Sequence, residues 1–373
     1  RRFRPWGLSV KVAGTVSNGD RKVKKSRAPI QQQLRQSAND VWAIKPFRIR
    51  ALSRILFVTS DTMQKDRQMR IATMATGGIG GFLAVKLAND GHSVATIARG
   101  AHLEAIRKTG LTLRSATGDE HATPEIATDA PKDVGPVDAI IFGVKGDALE
   151  EAAKACLPML GPDTVVVPFL NGVEASDRLT AILPERNVAN GVARVSTTIS
   201  QPGVITQTGA FNSFIFAERD SQPSDRITAL RDAINRAGSS APETDDIEKE
   251  LWSKFVLFSA LSGVTAAGRC TLGEVRSTPA LEALFKRAVA ETAAIGRARG
   301  VALDPDIEDQ VWSSMQAFPP QGRASTAIDL EHGRPLEIEW VSGAAARLAA
   351  EVGLDAPVNS ALYAILLPHK HGR

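Results

Sequence analysis

From residue 70 onward, short apolar runs alternate with amphipathic ones. Ile71–Met74 predicts a strand. Ile79–Asn89 predicts a helix with Phe82, Leu83, Val85 and Leu87 as its apolar positions, and Gly91-His92 stops it. Ser93–Ala98 predicts the second strand, and residues 101–108 a helix. Leu111–Arg114 and the segment around Glu125–Ala127 read as a short strand pair. Val137–Phe142 and Thr164–Phe169 are near-continuous apolar runs, which is how strands buried on both faces look, with a helix over 147–157 between them. Val195–Glu218 is strand-rich around Gln201-Pro202-Gly203, the pattern of a hairpin. After about Thr244 a helical period takes over, at 246–266, 279–299, 305–316, 338–351 and 357–366.

This order predicts an α/β protein. A Rossmann-type, doubly wound parallel sheet comes first, over residues 69–244, and an all-helical domain follows over 245–373. Neither internal repeats nor a stretch of about 20 apolar residues occurs, so no transmembrane helix is expected.

Charge separates off the first segment. Residues 1–68 carry 16 Lys+Arg against 4 Asp+Glu, which leaves 29 against 37 for residues 69–373. The net +4 of the whole chain therefore belongs to a basic leader on an acidic body, and a nucleic-acid partner is not expected. Met69 stands directly before the first strand, as a start residue would, so residues 1–68 are expected to be disordered or non-native. A targeting segment or a basic binding arm are the other readings. Cys156 and Cys270 lie far apart in apolar surroundings and predict two buried reduced thiols of a cytoplasmic protein, with no metal site.

The most informative stretch is Ala75-Thr-Gly-Gly-Ile-Gly-Gly81, between the first strand and its helix. Such a turn lets backbone approach a pyrophosphate, and the helix N-terminus supplies N–H groups and a positive dipole end. Gly77, Gly78, Ile79 and Gly80 are the expected cofactor contacts. The first glycine of the dinucleotide fingerprint is here Ala75. Arg99 ends the second strand, where an acid would select NAD and an arginine accommodates the 2′-phosphate of NADP. NADPH is thus the expected cofactor. Lys145 and Asn171 sit at the carboxyl ends of two further strands, where open α/β sheets bind ligands.

In the helical part, Lys254 lies within an apolar run and shares a face with Phe258 and Ser262, at spacings of four. Ser325 and Asp329 are one turn apart, and Glu337 follows. The only tyrosine, Tyr363, has Leu367 four residues on, which excludes a Tyr-x-x-x-Lys reductase. The six histidines form no His/Asp/Arg catalytic set.

Taken in order, the Gly77–Gly81 turn, Ile-Ala-Arg-Gly at 97–100, Gly-Val-Lys at 143–145 and Asn-Gly-Val at 171–173 form one pattern. Pro202-Gly203-Val204 with Gly209, Glu-Leu-Trp-x-Lys at 250–254, Ser325-x-x-x-Asp329 and Glu-Ile-Glu at 337–339 continue it. From Met69 on, the chain resembles the ketopantoate reductase family (2-dehydropantoate 2-reductase). The resemblance implies NADPH-dependent reduction of a 2-keto acid to a 2-hydroxy acid, in pantothenate biosynthesis. It implies Lys254 as general acid, Glu337 on the substrate hydroxyl, Ser325 on its carboxylate, and Asn171 beside nicotinamide and substrate. Arg99 and Lys145 match cofactor-binding positions. Two substrate-site asparagines of the family are here Phe258 and Ser262. This change points to a more apolar 2-keto acid as the alternative substrate. A non-catalytic NADP-binding sensor or scaffold is the reading from another class, although a pure binder needs neither Lys254 nor Glu337. A small-molecule partner is expected, and a homodimer is left open.

Overall fold

The computed structural model describes residues 68–373, so the expectations for the basic leader lie outside the described residues. Five parallel strands form the central sheet in the order β5-β2-β1-β6-β7. They are β1 (Arg70–Met74), β2 (Ser93–Ile97), β5 (Ile126–Thr128), β6 (Val137–Phe142) and β7 (Leu160–Pro168). All four pairings run parallel. Val165, Val166, Val167, Ile140, Ile141 and Phe142 are fully buried, because helices cover both faces. Those helices include α1 (Gly78–Asn89), α2 (Gly100–Thr109), α3 (Leu149–Cys156) and α4 (Ala175–Thr180). The strand order reverses between β1 and β6, which opens a crevice at their carboxyl ends.

A second sheet has the order β4-β3-β9-β8, from β3 (Leu111–Ser115), β4 (Gly118–Ala122), β8 (Ala189–Gln201) and β9 (Val204–Glu218). The expected pairing of Leu111–Arg114 with Glu125–Ala127 is therefore corrected. β3 pairs antiparallel with β4 and parallel with β9, while β5 joins the edge of the main sheet beside β2. The reason is visible in composition: Gly-Asp-Glu-His-Ala of β4 is mostly solvent-facing and carries no apolar alternation to reveal it. The hairpin of β8 and β9 is longer than expected and begins at Ala189. Helix α5 (Asp225–Arg236), started by the Ser224 side chain on the Ile227 N–H, closes this part of the chain.

The remainder is helical: α6 (Ile247–Ala267), α7 (Leu272–Ser277), α8 (Pro279–Ala298), α9 (Ile307–Ala317), α10 (Ser325–Glu331), α11 (Ser342–Glu351) and α12 (Pro357–Leu366). The Asp246 carboxylate caps α6 at the Lys249 N–H, and Thr271 with Glu274 forms a capping box on α7. The single helix expected over 338–351 is broken. A 3₁₀ turn, Ile338–Trp340, precedes Val341, whose φ −121° and ψ −94° are not helical. The break lets Trp340 leave the helical core and enter the core of the parallel sheet, where it packs with Phe142, Val144 and Leu170.

The second sheet also lies across the start of α1. A Cβ at Gly78 would stand 2.5 Å from the Thr197 carbonyl oxygen of β8, whereas one at Gly77 would meet nothing nearer than 3.8 Å. Gly78→Ala is therefore expected to lower the free energy of unfolding by about 1–3 kcal/mol through overpacking against backbone. Gly77→Ala should cost well under that. Urea unfolding of both variants is the measurement, and equal losses would contradict this account of the turn.

Candidate active site

The glycine turn begins with Ala75, whose φ of +57° is the left-handed conformation that the fingerprint glycine would take. The turn forms with alanine in its place. Thr76 donates its N–H to the Ile97 carbonyl at 2.7 Å, and its hydroxyl pairs with that of Thr73 at 2.8 Å. No side chain caps the first turn of α1, so its leading N–H groups have no side-chain partner. A Cβ at Gly77 would make only ordinary contacts, with the Gly143 and Ala75 carbonyl oxygens at 3.8 and 3.9 Å. These residues fit a dinucleotide pyrophosphate.

Arg99 precedes α2 and is largely exposed, with its guanidinium 2.7 Å from the Glu151 carboxylate. Lys145 follows β6 and reaches Asp329 of α10 at 3.7 Å, across the mouth between the sheet and the helices. Asp329 also accepts from Arg334 at 3.3 Å. Ser325 opens α10 and is exposed.

Three further side chains link the sheet to the helical part. Lys254 of α6 donates from Nζ to Asn171 Oδ1 at 3.2 Å. Asn171, just beyond β7, donates from Nδ2 to Glu337 Oε2 at 3.4 Å. The amide thus separates an ammonium from a carboxylate. Gly172 beside it takes φ +88°, and a Cβ there would lie 2.5 Å from the Trp340 carbonyl oxygen. One turn along α6, the Phe258 ring centre lies 5.0 Å from Lys254 Nζ, a cation–π contact. Ser262, a further turn on, is buried.

Burial pushes the Lys254 ammonium down to about 8. The positive charge of Arg194 lowers it further, and Glu337 opposes both. Arg194, on β8, is held by Glu250 at 2.7 Å, one turn before Lys254 on α6. Sequence reading missed Arg194. It lies between ordinary strand residues, and only the crossing of β8 over α6 gives it a role. An ammonium with its proton loosened this way, steadied by an amide, can stabilise a developing oxyanion and then protonate it. Among the described residues no cluster of His, Cys, Asp and Glu could hold a metal, and no helix is long and apolar enough to cross a membrane. Both cysteines are buried and free, and burial pushes Cys156 up to about 12.

The chain is similar to known proteins along most of its described length. Residues 71–221 match the family model of ketopantoate reductase PanE/ApbA, and residues 246–370 match its C-terminal model. A 2-dehydropantoate 2-reductase of Mesorhizobium japonicum is 30% identical over 322 residues, covering 80% of this chain and 97% of that protein. The uncharacterized oxidoreductase YkpB of Bacillus subtilis is 27% identical, covering 80% of this chain and 98% of its own. The crystal structure of a PanE/ApbA family ketopantoate reductase from Ralstonia eutropha superposes with a TM-score of 0.75 at 29% identity, over 81% of this chain and 98% of that one. Its relatives are oxidoreductases acting on CH–OH donors, and this chain belongs to the ketopantoate reductase family.

Proposed function

We propose that this protein reduces a 2-keto acid to the 2-hydroxy acid with NADPH, with Lys254 as general acid. The observation that carries the reading is the Lys254–Asn171–Glu337 chain of hydrogen bonds, which joins the helical part to the carboxyl end of the parallel sheet. Residues 69–244 would form the nucleotide-binding domain and 245–373 the substrate domain. Gly77, Gly78, Ile79 and Gly80 would hold the pyrophosphate at the α1 N-terminus, Arg99 the 2′-phosphate, and Lys145 would add a second cation at the mouth.

A bound nicotinamide would supply the hydride to the carbonyl carbon. Negative charge then develops on the keto oxygen. Lys254 Nζ stabilises that charge and gives its proton to the oxygen, leaving a neutral amine. Asn171 fixes the ammonium through its carbonyl oxygen. Its amide nitrogen steadies Glu337, which would accept from the product hydroxyl. Ser325 would donate to the substrate carboxylate.

A second reading concerns the substrate. Phe258 lays an aromatic ring beside Lys254 where the family has an amide. A polar substrate hydroxyl would find no partner there, whereas an apolar side chain would gain contact. A 2-keto acid more apolar than ketopantoate is the substrate this favours.

Lys254→Ala should lower kcat about 10²–10⁴-fold and leave NADPH affinity nearly unchanged; near-normal turnover would eliminate the mechanism. The checks are steady-state oxidation of NADPH with a panel of 2-keto acids and direct titration of the cofactor.

In the native protein the acid must be protonated. Its depressed value therefore means that kcat/KM for reduction holds below pH about 8 and falls as pH rises through it. A profile that stays flat well beyond that point would show that Lys254 is not the proton donor.

Phe258→Asn with Ser262→Asn should move the kcat/KM ratio toward ketopantoate over an apolar 2-keto acid. If the native protein already uses ketopantoate best and the double change lowers that preference, the apolar reading is wrong.

A further inference from the structure

His102, on the first turn of α2, bonds to two turns that are distant in sequence. Its Nδ1 accepts the Gly203 N–H at 3.0 Å, and its Nε2 lies 2.9 Å from the Thr76 carbonyl oxygen. Since Nδ1 is an acceptor, the proton is on Nε2, and the ring is the neutral tautomer that donates to Thr76. The Thr76 carbonyl belongs to the peptide whose N–H is that of Gly77. Gly203 is the tip of the β8–β9 hairpin, and its own carbonyl accepts from the Thr112 N–H of β3 at 2.9 Å. The same hairpin lays Thr197 over Gly78. One imidazole therefore ties the glycine turn, the hairpin above it and the helix that Arg99 begins.

We propose that neutral His102 is a positioning residue for the dinucleotide: it holds the Thr76–Gly77 peptide, whose N–H closes on the Ala75 carbonyl at 2.7 Å, and so fixes the turn that presents the start of α1 to the pyrophosphate. This rests on the reading of Gly77–Gly80 as the dinucleotide turn. The bond set fixes the protonation state it requires. A proton added at Nδ1 would place two donors face to face and release Gly203. Burial lowers the His102 value below the ordinary 6.5, and the bond to the Thr76 carbonyl partly opposes that.

The charges around the ring do not compete. The glycine turn and the residues at 201–204 carry none. On its own helix Glu104 is exposed, and Arg99 is engaged by Glu151. On β4, His121 is occupied with the Thr112 hydroxyl at 3.2 Å. The sign is therefore set. The neutral ring's contribution is complete above 6.5 and is lost as pH falls through the lowered value.

The test is the dissociation constant for NADPH and for NADH, measured by nicotinamide fluorescence on the full chain from pH about 8 down to about 5.5. His102→Gln keeps one donor and one acceptor but does not titrate in this range. His102→Phe keeps neither. At pH about 8 the Gln variant should bind close to native, while the Phe variant should bind about tenfold or more weakly, having lost two hydrogen bonds. As pH falls the native protein should lose affinity in the direction of the Phe variant, whereas the Gln variant should not. Titration of the NADPH 2′-phosphate is common to all three proteins and absent with NADH, so the native-minus-Gln difference is the readout. Equal pH slopes for native and Gln, or native-like binding by Phe, would overturn the inference. Native protein that binds neither dinucleotide at any pH would instead sink the dinucleotide reading itself.

Discussion

The burial of Trp340 in the sheet's core is the contact on which the site depends. Its indole comes from the helical part, yet it is 3% exposed among side chains of the parallel sheet. Two backbone segments make room. A Cβ at Gly146 would fall on the indole itself, and Gly172 turns its backbone under the Trp340 carbonyl. The Arg178 guanidinium then covers the ring at 4.3 Å. An aromatic side chain buried this fully is worth about 3–5 kcal/mol on truncation, far more than any exposed ion pair nearby. Arg347 with Glu174 at 2.6 Å spans the same boundary and adds direction rather than bulk. With Trp340 fixed, Glu337 three residues before it and Asn171 next to Gly172 have little freedom. Their 3.4 Å contact is a consequence of the packing, not its cause.

The chemistry then follows from competition around one ammonium. Lys254 is drawn from water, which favours the neutral amine, and Arg194 acts in the same direction. Glu337 alone opposes them from across Asn171. A carboxylate in direct contact with the ammonium would hold its proton tightly. The intervening amide keeps the carboxylate close enough to orient a hydroxyl but spares the acidity of Lys254.

Much of this was legible before any coordinates. The strand–turn–helix of 70–89 carries a period-2 to period-3.6 switch with glycines at the join, a local signal. Lys254 stood out because a charge inside an apolar helix run demands a reason. What escaped depends on contacts distant in sequence. β4 is polar, so its pairing with β3 leaves no periodicity. The break at Val341 is imposed by the place waiting for Trp340, not by a proline or glycine. Arg194 and His102 look like ordinary surface residues until the hairpin folds over α6 and α2.

The departure at position 75 bears on how a fingerprint should be read. Glycine is usual there because the turn needs positive φ, and Ala75 adopts +57° all the same. The cost of that conformation for alanine is about 1–2 kcal/mol, a sum that the surrounding bonds of Thr76 and His102 can meet. Gly78 is different. There the obstacle is the Thr197 carbonyl oxygen, a backbone atom that cannot move without the hairpin. Two positions of one turn thus answer to different constraints, one soft and one hard. The substituted position is the soft one, so the broken fingerprint leaves the turn intact.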